Sequence, residues 1–125
     1  MPRSIIISNQ NELVRMQPER VIYVASDGNY STFFMHDKSE QVFTMNLARS
    51  MEELERQLGR EAQTFIRIGK SLIVNRTYIY RVNVQRQQLV LSDMTTNQAF
   101  TLSASKEALR QLKDLLEKTK KEERL

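Results

Sequence analysis

Apolar and polar positions alternate along most of this chain, which is the pattern of β-strands with one buried face. Residues 21–24 and 31–35 are rich in β-branched and aromatic side chains, and turn-forming residues separate the two runs. The pattern predicts a hairpin. Its Asp-Gly pair favours a tight turn, but Asn29 and Tyr30 prolong the connection and place an amide and an aromatic ring at or near the loop tip. A third strand is predicted over residues 41–45.

The period changes after this strand, because apolar residues now recur at three- and four-residue spacing and predict an amphipathic helix. These residues are Leu47, Met51, Leu54 and Leu58. Residues 50–53 match a capping box, residues 47–50 either join the helix or form an earlier, separate turn, and Gly59 predicts the helix end. Arginine and glutamate balance on the outer face, so the helix is predicted to be structural.

Short strands dominate the second half of the chain. They are predicted over residues 65–68, 72–74, 78–82, 88–91 and 99–102. A turn is expected over residues 93–97, and Ser103 or Ser105 is expected to cap a final helix. The apolar face of that helix comprises Leu109, Leu112, Leu115 and Leu116. Residues 118–125 are mixed in charge and poor in apolar groups, so a frayed tail is expected.

These elements predict a mostly β fold with one short internal helix and a C-terminal helix. With no repeat and no low-complexity linker, the length of 125 residues predicts a single domain over 1–125.

Positive charge is concentrated in one part of the chain. The net charge is only +4, but residues 62–92 contain no Asp or Glu. The cations of this stretch are Arg67, Lys70, Arg76, Arg81 and Arg86. Such clustering suits a surface that faces phosphates, because each neutralised phosphate releases counterions. A solvated basic sheet face explains the charge equally well.

The residues that most enzyme and metal sites need are scarce. The chain has no cysteine, one histidine, His36, and three glycines that form no phosphate-binding loop. Catalysis, a zinc site and a bound cofactor are therefore not expected. The longest apolar runs fall far short of the roughly 20 residues that span a bilayer. With neither a signal sequence nor a membrane anchor in view, a cytoplasmic location is expected.

Four segments, in order along the chain, carry a resemblance to a known family. They are residues 21–31 (VIYVASDGNYS), 65–75 (FIRIGKSLIVN), 78–79 (YI) and 100–103 (FTLS). In these segments the chain resembles the LytTR family, which comprises DNA-binding domains of bacterial transcription regulators. The resemblance implies an elongated, mostly antiparallel β-sheet that docks on double-stranded DNA through loops in successive major grooves. Many family members follow a receiver domain or a membrane segment, and this sequence shows neither.

The resemblance also implies three groups of DNA-binding residues. Asn29 and Tyr30 match the family's first hairpin loop, and Lys70 with Ser71 matches the turn before the Ser-hydrophobic-hydrophobic-Val-Asn strand. Ser105 with Lys106 matches the start of the last helix. Many members carry a base-reading arginine near this last position, so that contact is either absent here or made by Lys106. Gly69 stands where a histidine is common.

The chemistry of these side chains indicates what each would contact. Lys70 suits phosphate or the O6 and N7 acceptors of guanine, and the Asn29 amide can pair with adenine. Tyr30 either contacts a sugar or a thymine methyl or packs within the hairpin. Asn75 is predicted to be structural, with its amide bonded to local backbone. Arg67 alternates with two isoleucines and either contacts phosphate or is solvated.

Three hypotheses for function follow. The first is a transcription regulator that binds promoter DNA, with two copies on paired or repeated sites and a homodimer on the DNA. The second is a protein-interaction module that keeps the fold and uses exposed strands or the face of Leu109, Leu112 and Leu116. The third is RNA binding through Tyr78 and Tyr80 on a sheet face.

Overall fold

The fold is mostly β and antiparallel, as the sequence predicts. The structure is a computed structural model that describes residues 4–95 and 98–124, with side chains described as far as Lys118. Within these residues it contains ten strands in three sheets and two α-helices, one internal and one C-terminal. The chain divides into two compact units, Met1–Thr77 and Tyr78–Leu125. We call them the N-terminal unit and the C-terminal unit.

The N-terminal unit contains a two-stranded and a five-stranded sheet and one helix. Its strands are β1 (Ile5–Ser8), β2 (Leu13–Met16), β3 (Val21–Asp27), β4 (Tyr30–Met35), β5 (Glu40–Phe43), β6 (Phe65–Ile68) and β7 (Leu72–Asn75). The helix α1 (Leu47–Leu58) lies between β5 and β6 in the chain. The five-stranded sheet has the order β5-β4-β3-β7-β6, and β1 pairs with β2 separately. β3 is therefore the central strand.

One face of the five-stranded sheet packs against α1 and the β1–β2 hairpin. Alternate residues of the central strands point into this core, and Val24, Phe33 and Ile73 are fully buried there. From the helix, Leu54 and Leu58 are buried in the same cluster. The apolar alternation of the strands and the helical spacing of the leucines therefore meet in one core.

The β1–β2 hairpin is an element that the sequence analysis did not predict. β1 packs on α1, where the Gln57 side chain closes its free edge. The Ile6 N–H donates to the Gln57 carboxamide oxygen (2.8 Å), and Gln57 Nε2 donates to the Ile6 carbonyl (2.7 Å). The side chain that satisfies the edge of β1 lies far along the chain, so no local pattern shows this pairing.

The start of α1 differs from the predicted capping box. Asn46 is the N-cap, because its side-chain oxygen accepts from the Arg49 N–H (2.8 Å). Ser50 lies inside the helix, fully buried, with its hydroxyl bonded to the Asn46 carbonyl (3.1 Å). The helix is thus continuous from Leu47, and no separate turn precedes it. Gly59 ends it at φ 58°, as predicted.

The C-terminal unit is a three-stranded sheet with one helix. Its strands are β8 (Ile79–Asn83), β9 (Gln88–Ser92) and β10 (Ala99–Ser103), in the order β10-β9-β8, and the helix is α2 (Lys106–Arg124). The predicted strands agree, except that Tyr78 precedes β8 in a 3-10 turn. Of the predicted turn over 93–97, residues 96 and 97 lie outside the described residues.

Ser105 is the cap of α2, which settles the choice between two serines. Its hydroxyl accepts from the Ala108 N–H (3.1 Å). α2 contacts β8, and Leu109 and Leu112 are buried, whereas Leu115 is 41% exposed and departs from the predicted apolar face. The frayed tail predicted over 118–125 falls on residues whose side chains, after Lys118, lie outside the described part, and it stays a prediction. In the part of the chain described, neither helix is long and apolar enough to cross a membrane.

Asn75, at the end of β7, has the structural role that the sequence predicts. It is buried, and its amide donates to the Val21 carbonyl (2.9 Å) across the sheet. Its oxygen accepts from the Thr77 N–H (3.0 Å) and the Thr64 hydroxyl (3.2 Å). One side chain thus joins the start of β3, the end of β7 and the segment before β6.

We expect Asn75→Ala to lower the free energy of unfolding by about 1–3 kcal/mol, because it leaves the buried Val21 carbonyl without a donor. Urea denaturation followed by circular dichroism measures this. Asn9→Ala is the matched control, since the Asn9 oxygen also accepts two backbone N–H groups (both 2.9 Å) but in an exposed turn. It should cost only about 0.5–1 kcal/mol, because water replaces those bonds. Equal losses in the two variants would contradict the structural role of Asn75.

Candidate nucleic-acid interface

Two of the three predicted groups of residues lie side by side at one end of the strands of the five-stranded sheet. β3 and β7 are antiparallel with Ala25 opposite Leu72, so the turn after β3 and the turn before β7 emerge together. The Ser26 N–H donates to the Ser71 carbonyl (2.9 Å) and extends this pairing to the turns themselves. We call residues 27–30 and 69–71 the loop edge. It contains Asn29, Tyr30, Lys70 and Ser71.

The β3–β4 connection is a tight two-residue turn, not the prolonged loop that the sequence suggested. Asp27 pairs directly with Tyr30, so Tyr30 is the first residue of β4 and only Gly28 and Asn29 form the turn. Gly28 has φ 62°, and Asn29 is not among the described residues with positive φ. This matches a type II′ turn, in which glycine at the first position supplies the positive φ. The turn fixes the Asn29 amide at the tip.

The four candidate side chains of the loop edge lie at the surface of the protein. Asn29, Tyr30, Lys70 and Ser71 are all exposed. Their side chains make no hydrogen bond, ion pair or ring contact with any described residue. Tyr30 is 56% exposed, which favours an outward role over packing within the hairpin. An amide, a hydroxyl, a phenol and an ammonium group thus remain available to a ligand.

A buried serine supports the hairpin from behind. Ser31 follows Tyr30 and is fully buried, with its hydroxyl donating to the Met45 carbonyl (2.8 Å). Met45 comes just before Asn46, the cap of α1, so this bond ties the base of the hairpin to the start of the helix. The sequence analysis did not identify Ser31, and no local pattern distinguishes it from an exposed serine in a strand.

The basic residues of the stretch 62–92 do not form one patch in the N-terminal unit. Lys70 lies on the loop edge, whereas Arg76 follows the other end of β7. Arg67 lies between them in the chain, exposed on the edge strand β6, as its alternation with Ile66 and Ile68 predicts. Residues that are clustered in the sequence are thus separated by the length of a strand. Of these three cations, Lys70 is the one that lies on the loop edge with Asn29 and Tyr30.

The third predicted group lies in the C-terminal unit, at the start of α2. Ser105 and Lys106 are exposed, and the Ser105 hydroxyl, which accepts from Ala108, keeps its own proton free to donate. The Ala104 N–H donates to the Gln87 carbonyl (3.3 Å), which brings the β8–β9 turn beside the helix start. That turn carries the exposed Arg86, so a guanidinium group, an ammonium group and a helix N-terminus lie in one region.

Comparison with known proteins identifies the family and the fold. The family model of the LytTr DNA-binding domain matches residues 11–117. No curated protein matches the chain. Among solved structures, the chain is similar to the LytTr DNA-binding domain of a protein from Bacillus cereus described as a methyl-accepting/DNA response regulator. The TM-score is 0.61 at 16% identity, over 90% of this chain and 95% of that one. This likeness shows the fold.

The family model spans both groups of candidate residues, the loop edge and the start of α2, and it covers most of the chain. The chain therefore belongs to the family of LytTr DNA-binding domains.

Proposed function

We propose that this protein is a sequence-specific transcription regulator that contacts successive major grooves of promoter DNA. The loop edge enters one groove, and the start of α2 enters the next. The observation that carries the proposal is the set of exposed donors on the loop edge that have no partner among the described residues. The role is binding without catalysis, and it places the protein in the bacterial cytoplasm, where promoter DNA lies.

The two turns of the loop edge divide the work of recognition. Asn29, at the tip of the tight turn, presents an amide that can donate to N7 and accept from N6 of adenine. Lys70 provides a flexible charge for a phosphate or for guanine, and Ser71 contributes its hydroxyl to phosphate. Tyr30 offers a ring to a sugar or a thymine methyl. Contacts to bases specify the sequence, and contacts to phosphate set the register.

The start of α2 supplies the second contact. Lys106 replaces the arginine that many family members carry, and Arg86 and the Ser105 hydroxyl bind the adjacent phosphates. The positive end of the helix dipole favours the same anions. We treat the two units as one DNA-binding module, because the family model runs through both.

One module of this size buries a limited surface, about 600–1,000 Å² in comparable single modules. Two copies would bury about twice this surface, within the range of about 1,000–2,500 Å² that specific protein–DNA interfaces bury. We therefore propose that two copies bind paired or repeated sites and form a homodimer on the DNA.

The two other hypotheses have less support. A partner surface on the leucine face of α2 needs Leu109 and Leu112 exposed, but both are buried, which leaves the exposed strands as the surface for a protein partner. RNA binding needs aromatic rings displayed together, and of the two candidates Tyr78 is 9% exposed while only Tyr80, at 59%, is open.

Selection from a randomised duplex DNA pool tests the proposal directly. We expect the unmodified protein to enrich a repeated motif. Lys70→Gln should weaken binding to that motif by about 1–3 kcal/mol if Lys70 contacts a base, and relax one motif position. If Lys70 contacts phosphate, binding should weaken on all sequences. The negative slope of log K against log salt should then become shallower by about 0.9.

Lys38→Gln is the matched control. Lys38 is also an exposed lysine of this sheet, but it lies in the β4–β5 turn, at the other end of the strands. Its motif, affinity and salt slope should equal those of the unmodified protein. Equal effects of the two substitutions would mean that charge, rather than the loop edge, governs binding. Absence of any motif in the unmodified protein would overturn sequence-specific regulation.

The same assay tests α2. We expect Lys106→Gln to weaken binding to the selected site, since it removes a cation from the start of the helix. Lys118→Gln, an exposed lysine farther along α2, should leave binding unchanged. Fluorescence anisotropy with a labelled duplex measures both. If the two variants bind alike, the start of α2 is not a contact.

Gly28→Ala tests whether the tight turn positions Asn29. A side chain at φ 62° is strained, so stability should fall by about 1–3 kcal/mol, and specific binding should weaken because the turn distorts. Gly59→Ala introduces a similar strain, at φ 58°, after α1. It should lower stability without changing affinity for the selected duplex below its unfolding temperature. If Gly28→Ala binds the selected duplex as tightly as the unmodified protein does, the tight turn does not position Asn29 for recognition.

A further inference from the structure

Asp27 is the acidic residue of the loop edge, and it lies among groups suited to DNA. It is exposed and closes the hairpin opposite Tyr30. Side chains of paired residues point to the same face of a sheet, so the carboxylate and the Tyr30 ring share a side of the hairpin. Lys70 is on the same edge, yet neither side chain has a hydrogen-bond or ion-pair partner among the described residues. The carboxylate is therefore free to meet a ligand.

A second turn in the same sheet shows what a structural aspartate does. In the β4–β5 turn, Asp37 Oδ1 accepts from the Ser39 hydroxyl (2.5 Å) and from the Ser39 N–H (2.9 Å). These hydrogen bonds lower the pKa of the Asp37 carboxyl. Asp27 makes no such bond, because Gly28 provides the turn geometry by its positive φ. The fold therefore does not need a carboxylate at position 27.

A carboxylate on a surface that faces DNA is unfavourable on most sequences. Phosphates carry negative charge, so Asp27 opposes the attraction that Lys70 provides. An ionised carboxylate only accepts hydrogen bonds. In the major groove, cytosine presents the N4 amino donor and no acceptor of its own, whereas adenine places its N7 acceptor next to its amino group and guanine presents two acceptors. A hydrogen bond from cytosine N4 to the Asp27 carboxylate would therefore offset the repulsion between that carboxylate and the phosphates.

We propose that Asp27 is a specificity-determining residue, which accepts a hydrogen bond from cytosine N4 and weakens binding to sequences without that cytosine. This inference rests on the proposed function, because it requires the loop edge to lie in a major groove. It assigns to one side chain both an attraction to the cognate site and a penalty on other DNA. Removing the charge should then raise affinity for unrelated DNA while it lowers selectivity.

The test is selection from a randomised duplex pool with the full 125-residue chain, followed by affinity measurements on the selected duplex and on a scrambled duplex. In Asp27→Ala, we expect preference for cytosine at one motif position to fall by at least about five-fold. Affinity for the scrambled duplex should rise. In Asp27→Asn, the same position should shift towards adenine, with which an amide pairs. Both variants should unfold at the same urea concentration as the unmodified protein, because the Asp27 side chain has no partner among the described residues.

Asp37→Asn is the matched control, since it removes a carboxylate charge from the β4–β5 turn, at the other end of the strands of the same sheet. It should change neither the motif nor the affinity for scrambled DNA. If the unmodified protein selects a motif that Asp27→Ala and Asp27→Asn reproduce unchanged, the inference is wrong and the proposed function stands. If the unmodified protein selects no motif, the proposed function fails and the inference fails with it.

Discussion

The antiparallel pairing of β3 with β7 is the interaction on which the candidate interface depends. β3 is the central strand, and its register with β7 places Ala25 opposite Leu72 and bonds Ser26 to Ser71. Two turns that are distant in the chain therefore emerge together. A one-residue shift in this register would turn the buried Val24 and Ile73 to the other face of the sheet, so the core that buries them also fixes the positions of the turns.

The polar groups at the two ends of the strands in the five-stranded sheet have different roles. At the start of β3 and the end of β7, Asn75 satisfies three partners inside the protein, which a buried amide requires. On the loop edge, the Asn29 amide, the Asp27 carboxylate and the Lys70 ammonium group face water. Water satisfies such groups in the free protein, so they cost little stability and remain available for recognition. The stabilising amide and the proposed DNA contacts thus lie at opposite ends of these strands.

Much of the secondary structure is predictable because its pattern is local. Alternation over a few residues marked β3, β4, β6 and β9, and Gly59 marked the end of α1. The errors arose where two local explanations compete. Asn46 and Ser50 are both good N-cap residues, and only the burial of Ser50 in the packed helix excludes it. The tight turn at Gly28 was obscured because Asn29 and Tyr30 are common in longer loops as well.

The sequence by itself determined the mostly β class and the positions of most elements, and through the family motifs it predicted the residues of the loop edge and the start of α2 as DNA contacts. These depend on periodicity and on short runs of particular residues. The tertiary structure decided which of those residues are neighbours, that Gln57 completes β1, and that Asp27 lacks the bonds that Asp37 makes. Such facts depend on strand register and on hydrogen bonds between residues far apart in the chain, and a local pattern does not encode them.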